Sequence, residues 1–282
     1  MTGGGRSKPA PAATGMDGRA VRSIAGALAS TVLVFGLLGW VIVNAPGWPE
    51  VRNSFLDPVV FGSSLPGVVG GFLVNVQIFV AAEVLVLIFG LVLAVMRGLP
   101  GPVFLPLRVL STVYTDVFRA LPGVLVIFVV GFGVPGLGLI DPKTDQRLLG
   151  ILALTLIYSA YVSEVYRAGI ESVHPSQEAA ARSLGLGRLQ TLRHVIVPQA
   201  VRRVIPPLLN DFIGLQKDTV LVSFIGVVEI FRTAQIKQAA NFNFTPYIGV
   251  ALVFIVVTIP LARLTDWLIA RDRRPATAGG VR

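Results

Sequence analysis

Residues 171–203 read ESVHPSQEAAARSLGLGRLQTLRHVIVPQAVRR, a polar island inside an otherwise apolar chain. Segments long enough to cross a bilayer flank it on both sides. Pro175 and Ser176 make a helix start, with Ser176 as N-cap and Glu178 in the first turn facing the positive end of the macrodipole. Ala179, Ala180 and Ala181 continue that helix with little side-chain volume, so a bare alanine face can press into a groove. Gly185 is placed to end it in the left-handed conformation. Residues 188–197 can form a second short helix, and Pro198, with Pro206 and Pro207, is expected to redirect the chain to the membrane. Read this way, the island is a compact helix-turn-helix, suited to docking a partner on one face. The same capping signals also occur in solvated loops.

Composition sets the frame around the island. Of 282 residues, 54% are hydrophobic and only 14% charged, with a mean hydropathy of +0.75; soluble domains carry about 25% charged residues. The fold class predicted is all-α, a polytopic helical membrane protein. The chain has no cysteine, which excludes a disulfide framework and a thiolate metal site. His174 and His194 lie twenty residues apart in the island with no second histidine or cysteine beside either, so no metal site is expected. A net charge of +9 would suggest nucleic acid in a soluble protein; here it reads as membrane topology, and no nucleic acid partner is expected.

Six crossings fit: residues 24–43, 67–96, 103–134, 148–166, 204–228 and 247–270. Lys and Arg orient them. Seventeen lie in the N-terminus, the loop after the second crossing, the polar island and the C-terminus, against five on the other side. The positive-inside rule makes both termini and the island cytoplasmic and loop 44–66 extracytoplasmic. The first apolar run is longer than the ~7–15 residues of a signal h-region, so a retained anchor is favoured over a cleaved signal. Residues 1–23 form a Gly/Ala/Pro-rich tail expected to be disordered, 24–66 an extra helix and loop, 67–270 the core, and 271–282 a cytoplasmic tail.

The island resembles the cytoplasmic coupling loop of ABC-importer permease subunits. That motif is Glu-Ala-Ala, three residues, Gly, nine residues, Ile, one residue, Leu-Pro. Ala180 and Ala181 match its alanines, Gly185 its glycine, Val195 and Val197 its aliphatics, and Pro198 its proline; Ala179 stands in place of the Glu, with Glu178 one residue early. Further segments are similar to the polar amino acid branch of that family. They are residues 114–122 (YTDVFRALP, with Ala120 and Leu121 replacing Gly-Thr), 160–170 (AYVSEVYRAGI), 197–200 (VPQA) and 217–221 (KDTVL). The resemblance covers roughly residues 67–270 and implies a five-helix permease core plus one N-terminal helix, in the cell membrane of a prokaryote. It implies partners as well: an ABC ATPase dimer gripping residues 178–181, Gly185 and Pro198, a second permease copy or a sister permease, and an extracytoplasmic substrate-binding protein. Membrane lipid surrounds such a subunit. No cofactor would be bound by this chain, ATP and Mg²⁺ residing on the ATPase.

Intramembrane ionisable groups are costly and face a cavity or pair with one another. Glu83 is either a polar contact in a translocation path or a buried acid bonded to a neighbouring helix. Glu164 and Arg167, three apart on one helical face, read as a structural pair. Arg119, beside the helix break at Pro122, anchors that break or faces the path. Lys217, Asp218 and Thr219 favour a gate or path lining, since adjacent opposite charges in mid-span can hardly both face lipid. Asn210 and Gln216 add polar lining or helix–helix hydrogen bonds.

A secondary, ion-coupled amino acid transporter is the alternative, but such folds show paired broken helices in two repeated halves, and no repeat is evident. Neither His-Glu-x-x-His, Gly-x-Ser-x-Gly nor a phosphate-binding Gly-x-x-x-x-Gly-Lys-Ser/Thr loop occurs, so no catalytic residue is assigned. The branch resembled carries polar amino acids. Arg119 and Lys217 balance Glu83 and Asp218, which disfavours lysine or arginine and leaves glutamate or glutamine as the expected substrate.

Overall fold

The computed structural model describes residues 18–138, 140–141 and 143–277; the expected tail 1–23 lies outside them as far as residue 17, and the C-terminal tail from residue 278. The described residues are helical, with no strand among them. Contacts divide the chain into residues 1–53 and 54–282. In the first unit, α1 (Gly18–Val43) is apolar and ends in a turn at Asn44. Its polar interruptions Ser30 and Thr31 return their hydroxyls to the Ala27 carbonyl at 2.9 and 2.8 Å, so the helix exposes few unmet donors. Helix α2 (Trp48–Phe55) follows.

The second unit is built on α3 (Pro58–Gly98), 41 residues long. It starts nine residues before the expected crossing at 67, inside the stretch read as loop. Asp57 caps it, accepting from Val59 N at 2.8 Å and Val60 N at 3.1 Å, and Pro58 supplies a preset first turn. Pro66, taken as the end of the loop, lies inside the helix. Its buried seam runs Ser64, Val68, Gly71, Asn75, Ile78, Ala82, Val86, Gly90 and Ala94, a spacing of three and four that keeps one stripe turned inward.

A 3₁₀ turn leads into α4 (Leu105–Ala120), then α5 (Gly123–Phe128), a π turn at Val129–Gly133 and the single turn α6 (Val134–Gly136). The sequence reading placed one crossing over 103–134; instead the two helical pieces meet at 109°. Pro122 is the cause, because it forces Leu121 out of the helical region, to φ −82° and ψ 136°. Helix α7 (Gln146–Glu171) is the central partner of α3. Its buried side is rich in small residues, among them Gly150, Ala153, Ser159, Ala160 and Ser163, and Gly90 of α3 sits against Val162 and the Ser159 carbonyl, which lets the two backbones approach.

Next come α8 (Pro175–Ser183), α9 (Arg188–Thr191), a π turn at Leu192–Ile196, and α10 (Val197–Asp218), which runs into a 3₁₀ segment at Thr219–Ile225. Pro198, Pro206 and Pro207 therefore do not redirect the chain as expected. The π turn widens the helix where Pro198 cannot donate, and the other two prolines lie within α10. Helix α11 (Ile230–Asn241) occupies a stretch read as loop, and α12 (Thr245–Thr277) closes the fold. Among the described residues four helices are long and apolar enough to cross a membrane, and six spans result when each bent pair counts as one. The main core joins Ile78, Ala82, Ile127, Leu154, Leu215 and Val222, and a smaller one holds Val68, Ile230, Ala234 and Val250.

Candidate functional site

The polar island folds as two short helices at the end of α7. The N-cap of α8 is His174, not Ser176: its ring nitrogen Nδ1 accepts from Ser176 N at 3.2 Å and lies 2.7 Å from Ser176 Oγ, and Pro175 takes the first helical position. Glu178 stands in the first turn, as read from sequence. Gly185 adopts φ +83°, with Gly185 N donating to Arg182 O at 3.0 Å and Leu186 N to Ala181 O at 3.2 Å. These two bonds are the left-handed helix stop in which the carbonyls of the last turn are met from beyond the helix. Ala181 is buried, whereas Ala179 and Ala180 are exposed. Leu184 and Leu189 are 83% and 76% exposed. Pro198 is exposed at the start of α10. The island thus turns alanines and leucines outward from an ordered frame.

Above it, a cavity of about 420 Å³ is lined by Arg119, Tyr161, Glu164, Arg203 and Asp211, with Ala168, Gly169 and Pro207 among its walls. The Arg119 guanidinium lies over the Tyr161 ring at 5.9 Å from its centre. Glu164 accepts from Arg167 at 2.7 Å and also from Arg97, while Arg167 reaches Glu171 at 2.6 Å. The Glu164–Arg167 pair is thus part of a four-residue network. Arg97 enters from the end of α3, a partner that spacing within one helix could not show. Arg203 donates to the Ser172 carbonyl and ties α10 to the end of α7.

Asp211 was not singled out in the sequence. One of its carboxylate oxygens is buried without a hydrogen-bond partner, and Glu83 on α3 lies within electrostatic reach of it. Tyr158 donates to Asp218 at 2.8 Å. Asp211 and Asp218 are seven residues apart and share one stripe of α10, and exposed Asn210 and Lys217 form the adjacent stripe. The spacing that would have found Asp211 is its seven-residue offset from Asp218. Gln216 is buried, accepting from Thr258 at 3.2 Å.

Thr219 does not stand in that row. It is fully buried, donating to Gln216 O at 2.8 Å and accepting from Asn75 Nδ2 at 3.0 Å. Asn75 also donates to Glu229 Oε2 at 3.0 Å and accepts from Ile230 N at 3.0 Å. Glu229, 0% exposed, caps α11 by accepting from Phe231 N at 3.0 Å and Arg232 N at 2.7 Å. A buried carboxylate is tolerable here because three donors and a helix N-terminus face it. Sequence reasoning missed both Asn75 and Glu229; the two amides Asn75 and Gln77 in a long apolar run were the available signal. Among the described residues no group of acidic and histidine side chains could hold a metal ion.

Comparison with known proteins gives these features a family. Residues 87–274 match the binding-protein-dependent transport system inner membrane component family. The chain is 38% identical over 185 residues to the probable glutamine ABC transporter permease protein GlnM of Bacillus subtilis, covering 65% of this chain and 83% of that protein. It is 34% identical over 215 residues to the glutamate/aspartate import permease protein GltK of Escherichia coli O157:H7, covering 74% and 94%. A crystal structure of an amino acid ABC transporter with histidines superposes with a TM-score of 0.70 at 30% identity, over 76% of this chain and 98% of that one. These matches leave the secondary-transporter alternative without support. A membrane protein of bent and continuous helices around an ordered polar island, the chain belongs to the family of inner membrane components of binding-protein-dependent transport systems, as an amino acid ABC permease.

Proposed function

We propose that this permease is the translocation subunit of an ATP-driven importer for glutamine or glutamate. It works with an ABC ATPase dimer that binds ATP and Mg²⁺, a second permease (a copy or a sister chain) and an extracytoplasmic substrate-binding protein. In this reading both termini and the island face the cytoplasm, where Glu178, Ala179, Ala180, Ala181, Gly185 and Pro198 couple the ATPase to transport. ATPase closure drives alternating access by moving the frame that holds the path. The observation that carries the reading is the island itself: exposed Leu184 and Leu189 beside a helix stopped by Gly185 at φ +83°. Exposed leucines on an ordered cytoplasmic frame need a protein to cover them.

The path is assigned to the side of α10 that carries Asn210, Asp211, Lys217 and Asp218, with Glu83 and Arg119 beside it and Thr219 holding the helix from behind. Two against two was the charge balance read from sequence, and Asp211 changes that sum. Around the cavity, Arg119 and Arg203 face Asp211 and its neighbour Glu83, Glu164 being engaged by two arginines. That set suits an α-carboxylate and an α-ammonium together. The side-chain preference rests on the glutamine and glutamate/aspartate relatives. Uptake by the complete transporter with its own binding protein tests the assignment. Glutamine or glutamate should compete; competition by arginine or lysine with none by glutamine or glutamate would overturn the substrate. Failure of any ATPase to co-purify would overturn the class.

A further inference from the structure

A second cavity, of about 400 Å³, lies within the island itself, between the end of α7 and the two short helices. Its polar lining is Glu178, Arg188, His174 and Thr191, and Ile170 and Ile196 are among its apolar walls. Thr191 is 2% exposed, and its hydroxyl has no hydrogen-bond partner. A buried hydroxyl left unmet at a cavity wall calls for an occupant. The side chains of Glu178 and Arg188 are exposed and make no ion pair or hydrogen bond with any described residue, while the His174 ring is already engaged by Ser176. The cavity therefore offers the Glu178 carboxylate, for which a docked ATPase would compete, one solvent-facing guanidinium, one free hydroxyl and an apolar wall. An inorganic anion would meet Glu178 unfavourably, and a simple amine would meet Arg188. A zwitterion satisfies both, with its carboxylate on Arg188, its ammonium on Glu178, and Thr191 supplying a third polar contact. The volume falls within the range of small-molecule sites.

We propose that this cavity is a cytoplasmic regulatory site for a free zwitterionic amino acid, separate from the path, through which accumulated product restrains its own import. The proposal rests on the importer reading given above. An occupant wedged between α7 and the two short helices favours whichever of their arrangements fits it better, and so biases coupling by its difference in affinity for the two.

The chain has no native cysteine, so a single one reports on this wall. Ile196→Cys, or Leu192→Cys on the same wall should the first fail to assemble, is introduced into the complete transporter in inside-out vesicles. Its rate of maleimide labelling is measured with L-glutamine or L-glutamate added to the cytoplasmic face. The expected result is protection that saturates, with the half-protecting concentration raised about tenfold by Thr191→Val and by Arg188→Gln. Labelling unaffected by either amino acid overturns the proposal. So does protection that survives both substitutions, because the effect would then come from the path. Protection that follows the presence of the ATPase and not of amino acid also overturns it, giving the cavity to a partner side chain. Binding-protein-stimulated uptake measured in parallel separates the two readings: uptake without protection removes only this site, and protection without uptake removes the importer.

Discussion

Replacing Asn75 by leucine tests the buried network that fixes the start of α11. The substitution is nearly isosteric, so it changes hydrogen bonding more than volume. Asn75 makes three bonds of 3.0 Å, to Thr219, Glu229 and the Ile230 amide. Thr219 keeps its donation to Gln216 O, and Glu229 keeps its two backbone donors. The buried Ile230 N–H loses its 3.0 Å acceptor and keeps only its weaker approach to the Glu229 carboxylate, at a cost of about 1–3 kcal/mol. Loss of one of the three donors to a buried carboxylate adds about 1.5–3 kcal/mol. The sum, about 2.5–6 kcal/mol, corresponds to a fall in apparent melting temperature of roughly 4–10 °C for a chain of this size. Glu229→Gln should fall in the same range, because its amide would place a donor against both the Asn75 amide and the Phe231 N–H. Turning Asn75 over merely moves the conflict to Ile230. Thermal aggregation of the purified permease in detergent, followed for wild type and both variants, is the assay. A melting temperature for Asn75→Leu within about 2 °C of wild type would refute the reasoning, since it would mean water already meets these groups.

Three further outcomes are expected. A cysteine at Ser176 should be shielded from an impermeant thiol reagent in intact cells, and one at Ser54 should react; the opposite labelling would reverse the topology. Gly185→Val should leave the permease in the membrane, since a side chain there meets open space and costs about 1–3 kcal/mol of left-handed strain, but uptake should fall to background. Wild-type uptake in that variant would remove the island from coupling. Lys217→Ala should assemble normally and lose transport; normal transport would return Lys217 to a structural role.

The island was legible because its signals are local. Gly185 fixes a helix stop through its own backbone, and no distant residue is needed to see it. The same local logic, applied more strictly, would have placed the cap at His174, since a proline at the first helical position makes the residue before it the cap. Crossings were legible from apolar length, but their bends were not. Pro122 produces a 109° break while Pro206 and Pro207 produce none, and only the neighbouring helices decide between those outcomes. Least legible was the Asn75–Glu229 bond, whose partners lie 154 residues apart. Nothing in either local window says that an amide in one apolar run meets an acid at the head of another helix. Helix α11 fell in the gap between two expected crossings, and its buried residues are only Ile230 and Ala234.

Under the proposed coupling, continuity of α9 and α10 bears on how a push on the island would reach the assigned path. From Arg188 to Asp218 the chain is helical throughout, about 45 Å at 1.5 Å per residue, although it contains three prolines. The island's second helix and the charged stripe of α10 therefore sit on one rod, and a tilt of about 5° at one end displaces the other by about 4 Å. Both ends of the rod meet a glycine in the left-handed region, Gly185 at φ +83° and Gly226 at φ +92°. Just beyond Gly226, Asn75 and Glu229 fix the start of α11 to α3. In the proposed coupling the backbone turns at these two glycines, while the Arg203–Ser172 and Tyr158–Asp218 bonds keep the rod with α7 and Asn75 keeps α11 with α3. Had Pro198, Pro206 and Pro207 broken the chain as their types suggest, the same push would have been spent in the breaks before it reached Asp211 and Lys217.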